Sequence, residues 1–237
     1  MNFSVRSYEP ELIDNTDLAF SEVSRNMEEL RIINKLLGGH RLNVKAIEIL
    51  VTQSIVDRNH SLRICEIGCG GGDNLKILAN WCQNHKIKAV FTGIDINTEC
   101  IRHAKNYCTG LEIDFITSDY RNVNFNCKPD IVFSSLFCHH FSDAALLEIL
   151  RWMDSNSHLG FFINDLHRHP AAYYSIRLLT KLLSTSRLVK HDGPLSVLRG
   201  FVRKEWMRLL PEAGIYQFKL TWEWAFRWLV IVQKHPS

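Results

Sequence analysis

The segment ICEIGCGGGDN, residues 64–74, constrains the fold more than any other part of this chain. An apolar, β-rich run stops at glycines, and an amphipathic helical pattern starts directly behind them. Lacking a Cβ, Gly68, Gly70, Gly71 and Gly72 let the backbone take positive φ and lie against a ligand. A strand–glycine–helix junction of this kind belongs to an open α/β sheet that binds its ligand outside the carboxyl ends of the strands.

The rest of the sequence keeps the same rhythm. KAVFTGIDI, LEIDFITSD, DIVFSSLF and LGFFINDL read as strands. DNLKILANWCQNH, NTECIRHAKNYC and SDAALLEILRWMDS read as the helices between them, the last capped by Ser142. The tail IYQFKLTWEWAFRWLVIVQK reads as two strands of a terminal hairpin. The expected fold is α/β and Rossmann-like: a seven-stranded, mostly parallel sheet with an antiparallel C-terminal hairpin strand and helices on both faces. Residues 11–58 read as helical, broken at Gly38-Gly39 and resumed behind an Asn43 cap. The expected organisation is an N-terminal helical cap, 1–58, and a main domain, 59–237, with an insertion at about 167–200. That insertion starts as a helix and turns at Asp192-Gly193-Pro194.

Spacing separates two chemistries for the glycine loop. A dinucleotide fingerprint, GxGxxG, needs a third glycine at 73, where this chain has Asp73. The pattern E/DxGxGxG is met in register by Glu66, Gly68, Gly70 and Gly72. Acids beside the loop suit a cationic ligand better than a pyrophosphate. Asp95 ends the second strand, where a carboxylate can accept both hydroxyls of a ribose. Asp119 and Tyr120 end the third, at the edge where an adenine amine needs an acceptor.

These motifs resemble those of class I S-adenosylmethionine-dependent methyltransferases. DIVFSSLFCHHF and FFINDL are similar to the fourth and fifth strands of the methyltransferase-11, or ubiquinone/menaquinone-biosynthesis-like, branch. Ser135 stands where that branch commonly has Asn. NDLHRHPAAYY and PLSVLRGF resemble a bacterial set associated with type III polyketide synthases. The resemblance implies S-adenosylmethionine as cofactor and S-adenosylhomocysteine as product. It places the cofactor at Glu66, Gly68, Cys69, Gly70, Asp73, Asp95, Ile96, Asp119, Tyr120 and Ser134.

Methyl transfer to a phenol is helped by a base. His140 is the first candidate, and His139 is expected to point elsewhere. His167 and His169 follow the fifth strand, His167 as the second catalytic candidate. His139, His169, Tyr173 and Tyr174 are expected to contact the acceptor. Asp165, His167 and His169 would share one side of an extended segment, which raises a DxHxH metal alternative. The family chemistry needs no metal, and none is expected. The insertion reads as a substrate lid, with the N-terminal helices (Phe20, Met27, Ile33, Leu37) closing the other side. The expected acceptor is small and hydrophobic or aromatic. O-methylation of a phenolic or enolic polyketide-like hydroxyl is favoured over C-methylation of a quinone-type precursor. A nicotinamide-dependent oxidoreductase and a non-catalytic cofactor-binding module are the readings from other classes.

Composition sets the remaining bounds. The net charge of +3 is unevenly placed, because residues 168–208 hold nine basic side chains against Asp192 and Glu205. That region reads as a solvated face or as a surface for an anionic substrate, carrier or membrane. It is a poor match for nucleic acid. Seven cysteines without a CxxC pair read as reduced core residues. A polar, acidic N-terminus and the lack of a long apolar stretch lead to the expectation of a soluble cytoplasmic protein; a monomer or homodimer is expected.

Overall fold

The computed structural model describes residues 2–15, 17–52 and 61–234. The last residues of the second expected helix, and the expected domain boundary at 58, lie outside the described residues. Seven strands form one sheet: β1 (Leu62–Ile67), β2 (Ala89–Asp95), β3 (Ile113–Thr117), β4 (Ile131–Ser135), β5 (Gly160–Leu166), β6 (Lys219–Glu223) and β7 (Arg227–Gln233). Their order is β3-β2-β1-β4-β5-β7-β6. The first five pair in parallel, while β7 runs antiparallel to both β5 and β6.

The order reverses between β1 and β4, so the crevice above their carboxyl ends is the switch point where such sheets bind ligands. β1 is apolar on both faces because both are covered. Ile64 packs in one core with Leu75, Leu78 and Phe133, whereas its neighbour Cys65 packs in the other with Leu146, Ile149 and Trp206. Helices α1 (Phe20–Leu36), α2 (Gly39–Thr52), α3 (Asp73–Asn84) and α4 (Thr98–Tyr107) precede β3 in the chain. Helix α5 (Asp143–Asn156) joins β4 to β5. Helices α6 (Pro170–Leu183), α7 (Arg187–Arg199) and α8 (Arg203–Glu212) lie between β5 and the hairpin.

Two local expectations are corrected. Asn43 does not cap α2. That helix begins at Gly39, straight after Gly38 at φ +77°, and leaves Asn43 buried inside it. There the amide donates to Asn74 Oδ1 at 2.9 Å and accepts from Asn164 Nδ2 at 2.8 Å. Nor does the chain turn at Asp192-Gly193-Pro194, because α7 runs through all three. Burial of Leu188, Val189, Leu195 and Val197 outweighs the hydrogen bond that Pro194 lacks. Asp192 instead accepts the Leu12 and Ile13 N–H groups at 2.9 and 3.0 Å, fixing the N-terminal segment to α7.

Candidate active site

The glycine loop leaves β1 with Gly68, Gly70 and Gly72 at φ +65°, +50° and +75°. A Cβ on Gly68 would stand 2.0 Å from Phe137, which fixes glycine there. The Gly70 N–H donates to Asp95 Oδ2 at 2.8 Å, and the Asn97 N–H to Asp95 Oδ1 at 2.9 Å. These bonds aim one end-of-strand carboxylate across the mouth of the loop. Burial raises the Asp95 carboxyl above its ordinary range, against the pull of the two N–H groups.

The loop opens into a cavity of about 570 Å³, within the range of small-molecule sites. Gly68, Cys69, Gly70, Asp73, Asp95 and Ile96 lie on its wall. Met27 and Ile33 of α1 and Leu37 just beyond it also line the cavity, Met27 against Gly70 and Gly71, while Phe20 packs under Arg102 instead. Asp73 is held by His40 Nε2 at 2.6 Å. Four expected cofactor residues are not on the wall. Glu66 is fully buried beneath the loop, where Asn74 donates to it at 2.8 Å. Burial, with Asp73 and Asp95 nearby, raises its carboxyl well above the usual range. Asp119 is taken by Arg121 at 2.6 Å. Tyr120 packs edge-on against Trp152, and Ser134 lies 3.4 Å from Cys138 Sγ.

The same cavity wall carries a charged cluster, with His140 near enough to pull the Asp95 carboxyl down. The turn Cys138–His140 follows β4, and it brings both histidines to the wall with ring centroids 4.4 Å apart. The expectation that His139 points elsewhere is corrected: the 3-10 turn brings both neighbouring rings to the one cavity. His139 Nδ1 lies 2.7 Å from Asp165 Oδ1, and its Nε2 is 3.5 Å from Glu11 Oε1. His140 Nδ1 lies 2.9 Å from Asp14 Oδ1, with its Nε2 3.8 Å from Glu11 Oε2. Arg199 Nε stands 3.6 Å from Glu11 and also donates to the His139 carbonyl at 3.1 Å. Burial pushes the His139 imidazole down, but Asp165 and Glu11 outweigh it and lift it to about 9. Burial likewise pushes the Glu11 carboxyl up, and the two histidines and Arg199 bring it below its ordinary value.

The DLHRH segment does not behave as expected. Asp165 turns to His139, but His167 accepts from Trp222 Nε1 at 3.1 Å, off the cavity wall. Burial, then His169 and Arg168, lower the His167 imidazole to about 4. His169 caps α6 by accepting from the Ala171 N–H at 3.1 Å. Tyr173 packs against Phe3, and Tyr174 is exposed. None of the four is on the cavity wall, because β5 ends at Leu166 and the chain beyond it turns toward the hairpin. The donors that gather as a metal ligand set could are Glu11, His139 and His140, whose ligand atoms lie within 4.8 Å of one another.

The sequence reading missed Glu11, Asp14, Arg199 and Arg227. Glu11 and Asp14 lie 128 and 126 residues from the histidines they meet, so no local pattern pairs them. Arg227 borders the cavity at the start of β7, donating to Asn34 at 2.9 Å. Part of the basic excess is internal: Arg168 is buried against Glu205 at 2.6 Å, and Arg199 is buried in the cluster.

Residues 64–156 match the model of a methyltransferase domain. No curated protein matches the chain. Several solved structures share its fold. The plantazolicin methyltransferase BpumL, in complex with SAH, is 15% identical, with 89% of this chain and 90% of that one covered and a TM-score of 0.65. Human N-acetylserotonin methyltransferase, in complex with SAM, is 19% identical over 91% of this chain and 56% of its own, with a TM-score of 0.63. Magnesium protoporphyrin IX methyltransferase from Synechocystis PCC 6803, with bound SAM, is 14% identical over 93% and 100%, with a TM-score of 0.57.

Proposed function

We propose that this chain, a class I S-adenosylmethionine-dependent methyltransferase by its domain and its fold, methylates a hydroxyl on a small, largely apolar acceptor. A phenolic or enolic hydroxyl of the polyketide type is the favoured version. The observation that carries the reading is one cavity whose wall joins two groups of residues: the glycine loop and Asp95, which can hold a nucleoside, and the cluster of His139, His140, Glu11 and Asp14.

S-adenosylmethionine, when bound, supplies a methyl group that is already electrophilic. The chain's own work is then to hold it, to orient the acceptor and to take a proton. Gly68 and Gly70 give the close backbone approach, and Asp95 has lone pairs left for the ribose hydroxyls. Asp73 is the acid nearest the loop for the amino-acid end. His140 is the base: Asp14 holds Nδ1, and Nε2, 3.8 Å from Glu11 Oε2 and beyond hydrogen-bond reach of it, is the nitrogen that accepts a hydroxyl proton. His139 stays an imidazolium between Asp165 and Glu11 at neutral pH, which suits it to steady a developing phenolate rather than to accept a proton. Ile176, Leu179 and Val197 of α6 and α7 give apolar walls on the acceptor side. On this reading residues 167–200 form the substrate lid, and the N-terminal helices close the cofactor side.

The test is turnover with S-adenosylmethionine and a panel of phenols, read by mass spectrometry for a product heavier by one methyl. Calorimetry with S-adenosylhomocysteine and NADH accompanies it. O-methylated product and selective binding of the homocysteine compound are expected. Binding of NADH alone overturns the reading.

A further inference from the structure

Helix α6 has two apolar faces, and only one is covered. Its inner face contributes Ala172, Ile176 and Leu179 to the cavity wall. On its outer face Tyr174, Leu178 and Leu182 recur every four residues, one helical stripe. They are 56%, 60% and 69% exposed. Three large apolar side chains in line on fourteen residues are a contiguous patch rather than scattered surface leucines. Arg177 and Lys181 flank the stripe, Lys190 follows on α7, and all three are exposed. Among the described residues none of these three cations makes an ion pair, while Arg187 stands 3.9 Å from Glu22.

The charge pattern selects the occupant. A second copy docking stripe to stripe across a twofold axis would bring Arg177 and Lys181 against their own equivalents. No acid on α6 could offset them, because PAAYYSIRLLTKLL contains none. A surface that is apolar inside and anionic at its rim meets both demands. That is a bilayer interface, where such a helix lies in plane with leucines inward and cations among the phosphates.

We infer that the outer face of α6 is a docking surface for anionic membranes, with Tyr174, Leu178 and Leu182 entering the interface and Arg177, Lys181 and Lys190 meeting headgroup phosphates. The same helix walls the acceptor cavity, so docking sets that cavity against the phase in which an apolar acceptor dissolves. The docking surface stands whether or not the acceptor is a phenol. Only this last link to the acceptor rests on the proposed function.

The experiment is co-sedimentation of the full chain with two kinds of vesicle, phosphatidylcholine alone and equal parts phosphatidylcholine and phosphatidylglycerol. Binding to the anionic vesicles, weakened by salt, is expected. The double variant Leu178→Ser/Leu182→Ser should lose roughly tenfold or more of that binding. Arg177→Gln/Lys181→Gln should lose about as much on anionic vesicles only. Calorimetry with S-adenosylhomocysteine, expected unchanged in both variants, shows that they are folded and reads the methyltransferase site separately. Failure of the wild-type chain to bind either vesicle overturns the inference, as does equal binding by the leucine variant. A wild-type dimer that the leucine variant dissolves assigns the stripe to self-association instead. Retention on an acidic carrier protein without vesicle binding likewise overturns it.

Discussion

His140 Nδ1 and Asp14 Oδ1 lie 2.9 Å apart across 126 residues of sequence. The first turn after β4 is thereby tied to a segment that precedes every long helix. The carboxylate fixes one imidazole nitrogen, which on the proposed function leaves the other for the acceptor. His140→Ala should therefore lower kcat by about 10²- to 10⁴-fold with little change in affinity for S-adenosylhomocysteine. Asp14→Asn should cost less, since it disturbs the orientation and not the base. Steady-state kinetics beside calorimetry checks both. Loss of cofactor affinity in His140→Ala would move that residue from catalysis to cofactor binding.

The His139 pair has a different signature. Its imidazole stands at about 9 in the fold against 6.5 for an ordinary histidine. A raised value means that the fold binds the proton more tightly than the unfolded chain does. The stabilisation is thus fully present below pH 6.5 and is lost as pH rises through 9. On the pKa scale its ceiling is about 3 kcal/mol. Urea unfolding should show stability falling between those limits, and His139→Gln should flatten that slope. An unchanged slope would show that His139 is not held as a cation.

Much of this was legible in the sequence because it is local. The glycine loop, the acid at the end of β2 and the strand–helix alternation each lie within one short window, and periodicity reports them. Pro194 misled because its missing N–H is a local cost, whereas the burial of Leu188 and Val197 that outweighs it is tertiary. Glu66 and Asp119 matched a motif by position, but one is buried beneath the loop against Asn74 and Arg121 occupies the other. Glu11 and Arg199 carried no local signal at all. They meet only when α7 brings the N-terminal segment against the turn after β4.

Metal removal discriminates between two uses of the same cluster. Glu11, His139 and His140 could hold an ion. However, the Arg199 guanidinium already stands 3.6 Å from Glu11, and a proton on His139 supplies a second positive charge. A divalent ion would enter against both. Chelation followed by dialysis should leave turnover unchanged, and metal analysis should find less than one ion per chain. Stoichiometric zinc whose removal abolishes turnover would transfer activation of the hydroxyl from His140 to the ion.

Gly68 offers the sharpest test of the cradle. Its φ of +65° costs any L-residue about 1–2 kcal/mol. An added Cβ also meets the Phe137 ring at 2.0 Å. Phe137 lines the cavity and follows β4, so a displaced ring disturbs both the loop and the turn that carries the histidines. Gly68→Ala should weaken S-adenosylhomocysteine binding by roughly tenfold or more and lower Tm. Asp95→Asn separates the two effects. The amide oxygen can still accept one of the two N–H bonds, so Tm should fall less, while the ribose loses its carboxylate. Calorimetry with S-adenosylhomocysteine on both variants, beside thermal unfolding, reads affinity and stability independently. Full affinity in Asp95→Asn would mean that the carboxylate serves the loop alone and that the nucleoside is held elsewhere on the wall.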